Sequence, residues 1–408
     1  MIFSNILLAS VAAAGVVHLP LTVRNTADHP EIQEAFSKRY DHAELIAGKP
    51  WYDATVELGT PPQKVSLAVD TGSGHLWVPG TNSTACEKHQ CHTGGSFEIA
   101  NSSSWRFREM GANWGGHGLN GRETLSFAGQ TLKDFVLYVT TDHMSNNYGW
   151  FGHSPDKNGS LSFVQGLADA KKISRAVYSL SAEAPVTEWN RDHPANEQKH
   201  IVTNLYYGGF DRAKYEGPLV TIDRASYGGY AMNMSGFTVD NEPVKLPRDY
   251  QVVLDTGGIT ITLPNATVAA VAKKHGGAYN AEHKLWTIDC DAKPVIEYGF
   301  GYTSIPVDMD QFVKPLKGVD HTCAIQGLTV SKDSDGTLLS GPHVISRALV
   351  IFDNDRKQTH IARAKYTDET DVVEIDGDIP GTVKYSDWLA GKPLPGDAAT
   401  HTTLAVAH

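Results

Sequence analysis

Cysteine is scarce in this chain. Four among 408 residues allow two disulfides at most, which excludes a small scaffold held together mainly by cross-links. An unbroken run of about 18 apolar residues, the length a helix needs to span a membrane, is also missing outside the N-terminus. Histidine is plentiful at 18, yet no two histidines stand at His-Glu-x-x-His spacing. They read as scattered surface groups that gain charge at acidic pH. Positive charge is in deficit. Thirty-five Lys and Arg against 46 Asp and Glu give a net −11, which argues against nucleic acid or an anionic membrane as partner. Stretches with a 3.6-residue apolar period are few. SLSFVQGLADAKKI (160–173) and NATVAAVAKKHG (265–276) are the best helices, the second opening after Pro264. What the chain does have is short Val/Ile/Thr/Tyr runs separated by turns, with 38 Gly and 20 Pro. That pattern and the length describe an all-β protein of two domains or one bilobed unit.

The ends carry processing signals. Residues 1–14 combine a short apolar core, Ile6 to Val11, with Ala12-Ala13-Ala14, the form of a secretory signal peptide. No Lys or Arg follows Met1, so a buried N-terminal strand stays open as the rival reading. Residues 15–39 end in Lys38-Arg39 and read as a propeptide, with the mature chain from Tyr40; the alternative is a plain exposed basic pair. TTLAVAH at the C-terminus is too short and polar for a lipid-anchor signal. The expected location is extracellular, with vacuolar delivery as the alternative. Sequons at Asn82, Asn101, Asn158, Asn233 and Asn265 agree with a glycosylated secreted protein. The even cysteine count fits an oxidising compartment. The simplest pairing is Cys86 with Cys91 and Cys290 with Cys323. For the first pair a metal knuckle with His89 and His92 is the rival, but no second ligand pair at suitable spacing lies nearby.

Two stretches echo one another. AVDTGSGHLWVP (68–79) and VVLDTGGITITLP (252–264) each place Asp-Thr-Gly behind an apolar strand. Asp70 and Asp255 are 185 residues apart. Further on, Trp150-Phe151-Gly152 and Leu339-Ser340-Gly341 repeat the echo, which reads as a duplicated lobe. The expected division is 40–220 for the first lobe, 221–365 for the second, and 366–408 for an acidic Gly/Pro/Thr extension, partly ordered at most. If the lobes face each other, Asp70 and Asp255 meet. Two carboxyls in contact cannot both ionise cheaply, so one proton is shared. The pair can then hold a water. The ionised member acts as general base on it, and the protonated member acts as general acid towards a substrate carbonyl. Neither a metal nor an organic cofactor is needed.

With these residues in view, the chain resembles the pepsin-like aspartic proteases, most of all the secreted fungal members. The resemblance rests on VELGTPPQKVSLAVDTGSGHLWVPG (56–80), CEKHQC (86–91), YYGGFDRAKYEG (206–217), VVLDTGGITITLP (252–264) and LSGPHVISRALVIFD (339–353). It implies two β lobes, a six-stranded interlobe sheet and a deep cleft between the lobes. It implies hydrolysis of peptide bonds in extended polypeptides at acidic pH by a monomer, with statine-type inhibitors and a propeptide that blocks the cleft. Asp70 and Asp255 match the catalytic pair, Thr71 and Thr256 the interlocking threonines, and Gly72 and Gly257 the turn glycines. Ser73 matches the hydroxyl beside the first aspartate, Trp77 the tryptophan that backs the flap, and Gly152 and Gly341 the glycines behind the loops. Arg24 matches a propeptide base that pairs with the dyad.

Two departures stand out. Gly258 occupies the place of a Ser or Thr, so Asp255 lacks a side-chain donor and the working pH should shift upward. The flap stretch FREMGANWGGHGLNGRET (107–124) contains no tyrosine; Trp114 is the aromatic placed to reach inward, and His117 reads as a solvated loop residue. These departures favour a competing reading, a catalytically weak or inactive protein that binds peptides in the cleft. The intact aspartates and threonines oppose it, because buried facing carboxyls are costly without a use. A metallohydrolase is disfavoured by the lack of a ligand cluster at suitable spacing.

Overall fold

A computed structural model describes residues 15–25, 50–84, 94–113, 116–144, 149–155, 162–186, 202–225, 231–258, 260–332 and 334–395. Several expectations fall outside these residues: the signal peptide, Lys38-Arg39, Cys86 and Cys91, Trp114, Asn158, and residues 396–408.

The first lobe begins with β1 (Val17–Asn25), β2 (Pro50–Leu58) and β3 (Gln63–Asp70). After them come β4 (Leu76–Pro79), β5 (Arg106–Asn113), β6 (Gly116–Phe127), β7 (Gln130–Met144) and β8 (Gly149–Gly152). β3 shows why the sequence folds this way. Val65, Leu67 and Val69 are fully buried on one face of an extended chain, as the period of two requires. From Leu67 onward both faces are covered, because β3 lies between β2 and a parallel β8. The run therefore delivers Asp70 from a rigid, dry strand.

β9 (Val177–Ala182), β10 (Val202–Tyr207), β11 (Gly209–Asp211) and β12 (Tyr215–Asp223) lead to the second lobe. The lobes share a sheet in which β1, β10, β9, the strands Ala348–Asp353 and Gln358–Ala364, and β12 lie side by side. Val350 opposite Leu180 marks the crossing from one lobe to the other. These six strands, part of a larger sheet that runs on through β2, correspond to the interlobe sheet that the resemblance implied. In the second lobe, strand Gln251–Leu254 runs parallel to Thr337–Ser340, as β3 does to β8. The two predicted helices form as Phe163–Asp169, capped by Ser162, and Asn265–Lys274.

Two segments take structure that the sequence reading did not specify. The start of the presumed propeptide is β1, an internal strand between β10 and β2, and Arg24 stands opposite Trp51 in that ladder. The extension is folded over 366–395. Strand Val372–Glu374 pairs with β11, Thr382–Lys384 adds parallel to β12, and helix Tyr385–Leu389 follows. Its polar composition hid a thin apolar thread: Ile375 and Ile379 are buried against Phe210 and Leu349 in a core of their own. Lys214 Nζ donates to Thr367 O at 2.6 Å and Arg175 Nη1 to Gly377 O at 2.6 Å, tying the extension down.

Candidate active site

Each aspartate sits at the end of a buried strand, where the following turn folds backbone N–H groups onto it. The Gly72 N–H donates to Asp70 Oδ1 at 2.8 Å, and the Gly257 N–H donates to Asp255 Oδ1 at 2.8 Å. The two turns are thus the same device used twice. Asp70 is fully buried and Asp255 nearly so. They also meet. A Cβ on Gly72 would lie 2.6 to 2.8 Å from the carboxyl atoms of Asp255. The second carboxylate therefore rests on the first turn, and only glycine leaves it room.

The threonines lock the turns together. Thr71 Oγ1 accepts from the Thr256 N–H at 3.0 Å and donates to Leu254 O at 2.7 Å. Thr256 Oγ1 accepts from the Thr71 N–H at 3.0 Å and donates to Val69 O at 2.6 Å. Both residues are fully buried, so these four bonds hold the lobes in one register in a dry environment. Gly152 and Gly341 pack behind the turns. A Cβ on Gly152 would lie 2.5 Å from His75 N, and one on Gly341 would lie 2.2 Å from Gly258 O.

A family model described as eukaryotic aspartyl protease matches residues 51–364. The chain belongs to that family. It is 26% identical over 343 residues to an acid protease of Saccharomycopsis fibuligera, covering 78% of this chain and 81% of the relative. To candidapepsin of Candida tropicalis it is 24% identical over 375 residues, 88% of this chain and 90% of that one. To secreted aspartic protease 10 of Candida albicans it is 21% identical over 346 residues, 81% and 75%. The protein is an aspartic-type endopeptidase, a hydrolase with the bilobed all-β fold of its family.

Within that family frame the pair is asymmetric. Ser73 Oγ donates to Asp70 Oδ2 at 2.5 Å, and Gly258 offers no counterpart to Asp255. Adding a hydroxyl by Gly258→Ser favours the ionised carboxylate at that position. The activity–pH profile of the variant should move to lower pH than that of the parent; coincident profiles would remove the asymmetry as a determinant.

Tyr138 is a site residue that the sequence did not reveal. Its ring stacks on Trp77, centroids 4.5 Å apart and planes within 10°, and meets His75 edge-on at 5.4 Å. A Cβ on Gly111 of β5 would touch the same ring at 2.9 Å. Tyr138 thus joins Trp77 to the β5–β6 hairpin near its turn, in the stretch that lacks the family's tyrosine. No local pattern marks it. It becomes visible only once β7 is set parallel to β4 with Trp77 opposite Tyr138. Tyr138→Ala removes the stacking and the support under Gly111, and should lower kcat/KM roughly tenfold, mainly through KM. An unchanged KM with folded protein would show that the hairpin does not depend on the ring.

His153 lies directly behind the first turn, its N–H donating to Asp70 O at 2.9 Å. Its Nδ1–H donates to Phe151 O at 2.9 Å, so Nε2 accepts from the Tyr207 hydroxyl at 2.5 Å. Burial pushes this imidazole down to about 4, and burial does the same to His360 in the interlobe sheet. Both folded values are depressed. The unfolded chain therefore takes up protons from about pH 6.5 downward, while the folded chain resists until about pH 4. Stability should fall by about 3 kcal/mol per histidine across that window and level off below it. Denaturant titrations of Asp70→Asn protein, which cannot digest itself, at pH 7 and pH 4 measure this. A His153→Gln variant should lose about half of the pH effect.

The remaining sequence expectations can now be placed. Cys290 and Cys323 form a disulfide. Asn82, Asn101, Asn233 and Asn265 are all exposed. Trp77 and Trp150 are buried. Among the described residues, no helix is long and apolar enough to cross a membrane.

Proposed function

We propose that this endopeptidase is secreted and cleaves extended polypeptides at acidic pH through a water activated between Asp70 and Asp255. The observation that carries this reading is the contact of the Asp255 carboxyl with Gly72, the residue whose N–H holds Asp70. Two carboxyls so close share a proton. In the monoprotonated state one oxygen can take a proton from water while the other carboxyl donates to the scissile carbonyl. Attack gives a tetrahedral diol, and a proton passed to the departing amine breaks the C–N bond. Water and peptide are consumed, and a carboxyl and an amine are released. The names of the fungal relatives, an acid protease and a secreted aspartic protease, support the pH range and the export.

The roles of Thr71, Gly72, Ser73, Thr256, Gly257 and Gly258 are positional. They fix the distance and hydrogen bonding of the pair, while Trp77 and Tyr138 support the hairpin that covers the substrate. Cleavage of an unstructured protein near pH 4, unaffected by EDTA and giving internal fragments, tests the reading. Tight peptide binding without cleavage would favour the binding-only alternative, and loss of cleavage with EDTA would favour a metal-dependent reaction.

A further inference from the structure

Glu374 belongs to the extension and lies beyond residues 51–364, the span that the family model matches. Its carboxylate reaches the start of the leader. A Cβ built on Gly15 would lie 2.0 Å from Glu374 Oε1 and 2.5 Å from its Cδ, and Gly15 has φ +92°. The positive φ favours glycine at 15, and a side chain there would also displace the Glu374 carboxylate. The carboxylate thus rests on the Cα of Gly15, one bond from its nitrogen. Glu374 is half-buried and, among the described residues, accepts a hydrogen bond from Ser174 Oγ at 2.5 Å. A carboxylate has room for several donors, and a half-buried one gains from a cation.

The surroundings hold residue 15 in place. Val16 and Val17 are buried, and Val17 opens the β1–β10 ladder opposite Tyr207. Val16 presses on Gly209, and Gly15 O on Gly208. On the other side, the Ile375 N–H donates to Gly208 O at 2.8 Å, which fixes the backbone next to Glu374. Gly15 also follows directly on Ala12-Ala13-Ala14, the small residues of the expected signal cleavage site.

We propose that Glu374 is an α-ammonium site whose ligand is the amino group of Gly15, created when residues 1–14 are removed. Hydrolysis of the Ala14–Gly15 bond by the secretory signal peptidase consumes one water. The new carboxylate leaves on residue 14, and the new ammonium stays on Gly15. Before cleavage the nitrogen is a neutral amide. Afterwards it is a cation beside a half-buried anion. Removal of the signal thereby ties β1, the first strand of the leader, to the C-terminal extension. The proposal rests on the reading of the chain as secreted, but not on its catalytic mechanism.

The test uses Asp70→Asn protein that also carries Lys38→Ala and Arg39→Ala, secreted from a eukaryotic host with its own signal and kept at neutral pH so that the leader stays attached. Intact mass should place Gly15 first. Brief acylation at pH 7 should label its amine about tenfold more slowly in the folded protein than after unfolding, as one unit of added basicity requires. Glu374→Gln keeps the burial and removes the charge, and should restore the fast rate. An alanine inserted before Gly15, retained after cleavage, should do the same without touching Glu374. A different first residue, or equally slow labelling in both variants, overturns the proposal. Mass and acylation do not read proteolysis, so a chain without peptidase activity would still give the clasp result.

Discussion

Asp70→Asn and Asp255→Asn should each reduce cleavage of an unstructured protein near pH 4 by at least about a thousandfold while leaving the fold intact. The size follows from the geometry. General acid and general base contributions are each worth roughly 10²–10⁴ in rate, and neither amide can hold the shared proton. The two variants should not be alike in every respect. Asp70 receives a backbone N–H and the Ser73 hydroxyl, so its amide must keep the N–H on its oxygen and turn its NH2 to Ser73, whose hydroxyl then accepts instead of donating, at a modest cost in stability. At Asp255 the amide oxygen can keep the Gly257 N–H, and Gly258 brings no hydroxyl that must rearrange. Rates with a chromogenic peptide and melting curves check both statements. A variant that keeps a tenth of the parent rate would show that its carboxyl is not part of the reacting pair.

Thr71→Val should cost about 2–4 kcal/mol of stability and about a hundredfold in kcat. The methyl that replaces the hydroxyl leaves the Thr256 N–H and the Leu254 carbonyl unpaired in a dry interface, at about 1–3 kcal/mol for each orphaned group. It also frees the lobes to slide, and a displacement near 1 Å at the reacting groups is enough for a hundredfold loss. Thr256→Val should behave alike, because its hydroxyl serves Thr71 N–H and Val69 O in the same way. The double variant should lose less than the sum of the single losses, since each substitution already breaks the shared ring of bonds. Denaturant titration of all three in the Asp70→Asn background supplies the cycle. Strict additivity would mean that the two threonines act independently.

Much of this site was legible in the sequence because its chemistry is local. Asp-Thr-Gly after an apolar strand encodes a turn, a carboxylate and an N–H donor in three residues, and its repetition encoded the partner. The central sheet was legible for a different reason. Its strands are buried and β-branched, as LVIF in Ala348–Asp353 shows, so the local preference and the tertiary demand agree. Tyr138 was not legible, because its role depends on the register of β7 against β4 and on a glycine 27 residues earlier in the chain. His153 was hidden as well. One histidine among 18 gives no sign of being the neutral, buried one behind Asp70. The extension reads from its Asp, Gly, Pro and Thr as partly ordered at most, and its composition does not show which part orders: two isoleucines and short strands suffice over 366–395, where a folded surface already offers β11, β12 and a place for their side chains.

The measurement closest to the central claim is the affinity of a statine-type inhibitor as a function of pH, for the parent and for Asp255→Asn. In the proposed mechanism the inhibitor's hydroxyl takes the place of the water between two carboxyls that share one proton. Binding should be tight near pH 4, weaken about tenfold per pH unit once the shared proton is lost, and fall at least a hundredfold in Asp255→Asn. An affinity that is flat with pH and indifferent to the substitution would contradict the account, because the inhibitor would then be held without a proton shared by Asp70 and Asp255.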